Sequence, residues 1–167
     1  MMKKAIFLDR DGVINKKKSD HVKSVEEFQI FPFAIEAIKK INQLGFLVII
    51  ITNQSAINRG LMTHHDLDTI HQELQKSLKK NSGHVDAFYY CPHRSDENCT
   101  CRKPKSGLIK KAIDDFGINI ENSWVIGDSE IDMEAGKSIN CKTLKVDSTF
   151  NLLHAIDYIS SNNEKSC

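Results

Sequence analysis

The sequence predicts an open α/β fold, a parallel sheet with helices on both faces, and three observations lead there. Short, apolar, β-rich runs recur along the chain. Amphipathic helical patterns separate them, and acidic or hydroxyl residues follow the runs where such a sheet exposes its carboxyl edge. The alternation occurs five times, which points to an open Rossmann-like parallel sheet. With 167 residues and no gap long enough for a second core, a single domain over 1–160 is expected.

AIFL (5–8) and FLVIIIT (46–52) are the clearest strands. AFYY (87–90), SWVIG (123–127) and CKTLKV (141–146) are weaker but similar. Continuous apolar runs of this length suit strands buried on both faces. The first helix reads from Ala34, Ile35, Ala37, Ile38, Ile41 and Leu44, with Gly45 as its stop. Leu67, Ile70, Leu74 and Leu78 line a second helix behind a Thr63 cap. A third is expected from Ser106 to Phe116 before Gly117, a fourth from Ile131 to Ser138 and a fifth from Phe150 to Ile159. The polar end, 161–167, is expected to be a disordered tail.

Bulk properties exclude several function classes. A formal charge of +1 gives no electrostatic footprint for nucleic acid or an acidic membrane surface. The basic run Lys16–Lys18 reads as a solvated loop. MMKKAIFLDRDG holds too short an apolar stretch for a signal peptide, and no run suits a membrane span, so a cytoplasmic protein is expected. In that reducing setting its five cysteines suit metal binding or a core better than disulfides.

The strand ends carry the chemistry. The first run leads into Asp9-Arg10-Asp11-Gly12, the second into Thr52-Asn53-Gln54-Ser55, and the fourth into Gly127-Asp128 with Asp132 beyond. Carboxylates brought together on one edge repel unless a cation lies among them, and all-oxygen ligands suit Mg²⁺. Such an ion is commonly completed by a substrate phosphate, with Thr52 and a lysine to neutralise its other oxygens. Neither G-x-x-x-x-G-K-[ST] nor G-x-G-x-x-G occurs, so no nucleotide cradle of those kinds is expected.

CPHRSDENCTCRKPK (91–105) adds a second feature. Cys91-x-His93 and Cys99-x-Cys101 form two ligand pairs, and three thiolates with one imidazole match a closed, structural Zn²⁺ site. A redox pair would need C-x-x-C, so zinc is favoured over that reading and over unliganded thiols. Closing the loop would fix Arg102 and Lys103 beside the phosphate site.

FLDRDGVIN, ITNQS, RKP and VIGDSEID, in that order over 5–135, resemble the four motifs of the haloacid dehalogenase-like phosphatases. The resemblance implies a capless domain with Asp9 as nucleophile and Asp11 as general acid and base. It further implies Mg²⁺ on Asp9, the Asp11 backbone carbonyl and Asp128, with Thr52 and Lys103 on the phosphoryl group. Asn53, Gln54, Ser55 and Arg102 are the remaining candidates for substrate contact. The zinc loop before RKP narrows the resemblance to heptose bisphosphate and histidinol phosphate phosphatases, and TNQSAINRG (52–60) is similar to the heptose type. A small sugar bisphosphate is therefore the expected substrate, and, as a separate expectation that no motif carries, the enzyme is a monomer. Two departures stand out: KKKSDHV (16–22) replaces an Asp-His-Gly-Tyr-like segment, and Ser129 stands where the family often has lysine.

A zinc-stabilised nucleic-acid module is the competing class, opposed by the near-zero charge and the lack of aromatic platforms. Phosphotransfer is disfavoured because a short, capless chain has little to exclude water. His64, His65 and His71 read as packing or solvated residues, Cys141 and Trp124 as core, and His21 as a residue above the site.

Overall fold

The computed structural model describes residues 2–164. Five parallel strands form one sheet in the order β3-β2-β1-β4-β5. They are β1 (Ala5–Leu8), β2 (Leu47–Asn53), β3 (Ala87–Cys91), β4 (Trp124–Gly127) and β5 (Lys142–Lys145). Helices α1 (Pro32–Gln43), α2 (His64–Lys79), α3 (Gly107–Phe116), α4 (Glu130–Lys137) and α5 (Leu152–Glu164) fill the crossovers and the C-terminal end. Register pairs Phe7 with Ile49 of β2 on one side and with Val125 of β4 on the other.

Alternation along the strands divides the core in two. Ile6, Leu8, Val48 and Ile50 face one layer with the apolar stripes of α1, α2 and α5. Ala5, Phe7, Ile49 and Ile51 face the other with Leu108, Ile109 and Ala112 of α3 and Ala135 of α4. This is the period of two expected of strands covered on both faces.

The helix signals act largely as the sequence predicts. Thr63 and Asp66 form a reciprocal capping box at α2, Pro32 opens α1, and Gly117 closes α3 in the left-handed region. The fifth helix differs. It starts at Leu152, because Asp147 Oδ1 accepts from the amides of Thr149 (2.7 Å) and Phe150 (2.9 Å) and draws both into a turn. It continues to Glu164, so the polar residues 161–164, expected to be disordered, are helical. Residues 165–167, with Cys167, lie outside those described. Among the described residues, no helix is long and apolar enough to cross a membrane.

The connection from β1 to α1 is held down rather than loose. Val13, Ile14, Val22 and Phe28 are buried in the core, and Lys16 N–H donates to the Gln29 carbonyl at 2.8 Å.

Candidate active site

Asp9 continues β1 by one residue, its N–H donating to the Ile126 carbonyl of β4 at 3.0 Å. Asp128 follows β4, the neighbouring strand. The two carboxylates therefore meet at the carboxyl edge where successive crossovers diverge, the place open α/β sheets use for ligands. Two glycines make the approach possible. Gly12 has φ +88°, and a Cβ there would lie 2.2 Å from Asp128 Oδ2. A Cβ on Gly127 would lie 2.3 Å from the Asp132 carboxylate.

Lys103 is 4% exposed and its ammonium is fully engaged. It donates to Asp9 Oδ1 (2.9 Å), Asp132 Oδ1 (2.7 Å) and the Ile51 carbonyl (2.8 Å). Burial works against the charge on Lys103, but Asp9 and Asp132 outweigh it and hold its pKa above the usual lysine value. Burial pushes the Asp9 carboxyl up to about 7 against the pull of Lys103. The backbone of Lys103 is clamped by Asn53, whose Oδ1 accepts from its N–H (3.1 Å) and whose Nδ2 donates to its carbonyl (3.2 Å).

Asp11 is held differently. Arg10, fully buried, donates from Nη2 to both carboxylate oxygens at 3.0 and 3.2 Å. Asn15 Nδ2 (2.9 Å) and Gln54 Nε2 (2.9 Å) complete the set. Burial raises the Asp11 carboxyl, yet the Arg10 charge and these hydrogen bonds prevail and hold it below the ordinary carboxylate value. Behind it, Arg10 Nη1 donates to His71 Nε2 at 3.3 Å, and His71 stacks on Phe88.

A cavity of about 200 Å³ opens over these groups, walled by Asp9, Asp11, Asp128 and Lys103 within and by Lys17, Lys18, His21 and Arg102 outside. Asn53, Gln54 and Ser55 also line it. Thr52 does not; it is 1% exposed and its hydroxyl accepts from Gln54 Nε2 at 2.8 Å, one layer below the cavity. Asp9, Asp128 and Asp132 each offer an oxygen within 4.8 Å of the others, a hard donor set that fits a divalent cation. The Asp11 carboxylate is outside that group.

Cys91, His93, Cys99 and Cys101 form the second cluster, their ligand atoms also within 4.8 Å of one another. Cys91 Sγ lies 3.6 Å from Cys99 Sγ, 3.2 Å from Cys101 Sγ and 3.3 Å from His93 Nδ1. These separations are too long for disulfides and close to the roughly 3.8 Å edge of a tetrahedron with about 2.3 Å metal–sulfur arms. The loop reaches the site through Arg102, whose Nη1 donates to the His93 carbonyl (3.1 Å) and whose N–H meets Cys99 Sγ (3.4 Å).

Several functional contacts escape sequence reasoning. S-x-x-D at 129–132 signals a capping box, and Asp132 does cap α4, accepting from Ser129 Oγ at 2.9 Å. Its second task, gripping Lys103 from 29 residues away, leaves no local signal. Lys17 belongs to the run expected to be solvated, yet its ammonium lies 3.0 Å from Asp128 Oδ2. Of the histidines, His21 lines the cavity, His64 Nδ1 lies 2.8 Å from the Tyr90 hydroxyl, and His71 is buried. Cys141 is buried, while Trp124 is half-buried against Tyr158 and Lys142.

The parallel sheet, with Asp-x-Asp leaving its central strand and a buried lysine bridging to Asp132, defines a phosphatase of the haloacid dehalogenase-like class. The family model described as polynucleotide kinase 3 phosphatase matches residues 4–160, and the chain belongs to that family. A D-glycero-beta-D-manno-heptose-1,7-bisphosphate 7-phosphatase from Helicobacter pylori is 45% identical over 83% of this chain and 80% of its own length. Its counterpart from Pseudomonas aeruginosa is 37% identical over 87% of this chain and 82% of its own. Among solved structures, D,D-heptose 1,7-bisphosphate phosphatase from B. bronchiseptica, complexed with magnesium and phosphate, superposes with a TM-score of 0.89. It is 28% identical and covers 95% of this chain and 99% of its own.

Proposed function

We propose that the protein removes the 7-phosphate of D-glycero-D-manno-heptose 1,7-bisphosphate through a phosphoryl group carried on Asp9. The observation behind the chemistry is the Asp9–Lys103 pair at 2.9 Å, set in a cavity that Asp11 and Asp128 also line. Support for the substrate comes from the names of the relatives, which share 37–45% identity over more than four-fifths of this chain.

Lys103 occupies Asp9 Oδ1 and so presents Oδ2 as the attacking oxygen. Attack forms the Asp9–phosphorus bond and breaks the bond from phosphorus to the sugar oxygen; Asp11, ionised at rest, first draws a proton from water and then passes it to that leaving oxygen. In the second displacement Asp11 takes a proton from water, the water oxygen bonds to phosphorus, and Asp9 leaves as a carboxylate. The hydrogen bonds from Arg10, Asn15 and Gln54 hold Asp11 ready for that second role. Lys103 and Arg102 offset charge on the phosphoryl oxygens, while Asn53 fixes the backbone that carries them. Thr52 accepts from Gln54 Nε2 and so helps to hold the amide that also donates to Asp11.

Asp9, Asp128 and the Asp11 carbonyl would hold Mg²⁺, which when bound neutralises phosphate oxygens and favours the ionised form of Asp9. Cys91, His93, Cys99 and Cys101 would hold Zn²⁺ as a closed structural site. A single catalytic domain acting as a cytoplasmic monomer is consistent with this reading.

The test is kcat/KM measured side by side on heptose 1,7-bisphosphate and histidinol phosphate, with Asp9→Asn as control. The heptose ester should lead by at least roughly tenfold. The reverse order would overturn the substrate, and undiminished hydrolysis by a folded Asp9→Asn variant would overturn the chemistry.

A further inference from the structure

The loop over the site is laced by its own charges at Lys18 and Lys23. Lys18 Nζ lies 3.2 Å from Glu27 and 3.6 Å from Asp20. Lys23 Nζ lies 2.8 Å from Asp20 and 3.3 Å from Glu27. Lys17 instead reaches across 111 positions to Asp128 Oδ2 at 3.0 Å. That carboxylate belongs to the oxygen cluster with Asp9 and Asp132. Lys103 is the cation within the cluster and touches Asp9 and Asp132, while the third carboxylate, Asp128, is met from outside by Lys17.

We propose that Lys17 is a tethered cation that competes with the divalent metal for Asp128, so that metal binds only by displacing it. The inference rests on the reading that this cluster takes Mg²⁺. Burial decides how the competition runs. Lys103, at 4% exposure, cannot leave without uncovering buried charge, whereas the Lys17 side chain is 60% exposed and swings out into water at little cost. Asp128 itself is 18% exposed, and Gly12 packs so closely on the oxygen that Lys17 meets that a Cβ there would lie 2.2 Å from it. An exposed pair of this kind is weak, with the paired form favoured over the open form by about 1.4- to 5-fold. The open form is then roughly two-fifths to one-sixth of the population, and apparent metal affinity falls by the same factor, about 2- to 6-fold. The displaced ammonium stays at the cavity wall, available to an anion entering after the metal.

Calorimetric titration of MgCl₂ into the full chain, without substrate, tests this on wild type, Lys17→Gln and Lys16→Gln. Lys17→Gln should bind Mg²⁺ about 2- to 6-fold more tightly, and Lys16→Gln, which removes the same charge one residue away, should match wild type. Equal or weaker binding by Lys17→Gln overturns the proposal, as does an equal gain in Lys16→Gln, which would signal a general charge effect. If neither wild type nor Lys17→Gln binds Mg²⁺, the metal reading of the cluster fails and this proposal fails with it.

Discussion

Replacing Lys103 with methionine should be among the most damaging single changes in the molecule, and the structure shows why. Lys103, Asp9 and Asp132 are 4%, 13% and 2% exposed, so none is well screened by water. At an effective dielectric of about 20, contacts of 2.7 and 2.9 Å carry a gross attraction of about 6 kcal/mol each. Most of that offsets the cost of taking the charges out of water. Removing only the cation leaves two carboxylates facing each other in the interior, a change that typically costs about 3–5 kcal/mol. The assay is urea unfolding in magnesium-free buffer, comparing Lys103→Met, Asp132→Asn and the double variant. Asp132→Asn in the Lys103→Met background removes one of the two opposed charges, so the double variant should recover about 1–2 kcal/mol relative to Lys103→Met. If the two single losses simply add, or if Lys103→Met costs under about 1 kcal/mol, the buried charge network described here is wrong.

His71 makes stability depend on acid. Burial, then the Arg10 charge, pushes its imidazole down to about 3 from 6.5, so between those values the unfolded chain takes a proton that the folded chain refuses. Its contribution is intact above pH 6.5 and is lost toward pH 3 at up to about 1.4 kcal/mol per pH unit. Urea midpoints of His71→Gln should fall less steeply than wild type over that window; matching slopes would refute the assignment. If the cysteine loop holds zinc as proposed, chelation should free Arg102 from the His93 carbonyl and lower activity, with no recovery on adding Mg²⁺ alone. Activity restored by Mg²⁺ without zinc would show that the four-ligand loop is not a zinc clip.

Much of this architecture was legible because it is local. A run as short and β-branched as FLVIIIT suits a strand buried on both faces, and Thr63, Gly45 and Gly117 punctuate helices through their own backbone chemistry. Asp9, Asp11 and Asp128 could be placed on one edge because the strands of a parallel sheet all end on the same side, and the β1–β4 pairing then brings Asp9 and Asp128 together. The contacts that escaped join distant segments by side chain: Asp132 to Lys103, Lys17 to Asp128 and Arg10 to His71. Spacing along the chain carries no record of such pairs. Thr52 shows the same limit at short range, since position at the strand end is readable but depth below Gln54 is not. The fifth helix was misplaced at both ends because the Asp147 turn and a polar final turn leave no apolar period to read.

The central place of β1 has an evolutionary consequence. Asp9 stands on the strand whose amides are paired on both sides, the part of such a fold that opens last and tolerates least change. The outer walls of the cavity come from elsewhere, on the 16–23 connection, fastened by ion pairs, and on the loop that follows the Cys91–Cys101 cluster. Either loop can be rewritten without disturbing the pleated centre. A lineage could thus trade one phosphate ester for another by editing about twenty residues at the periphery, while the bond-breaking step is inherited unchanged.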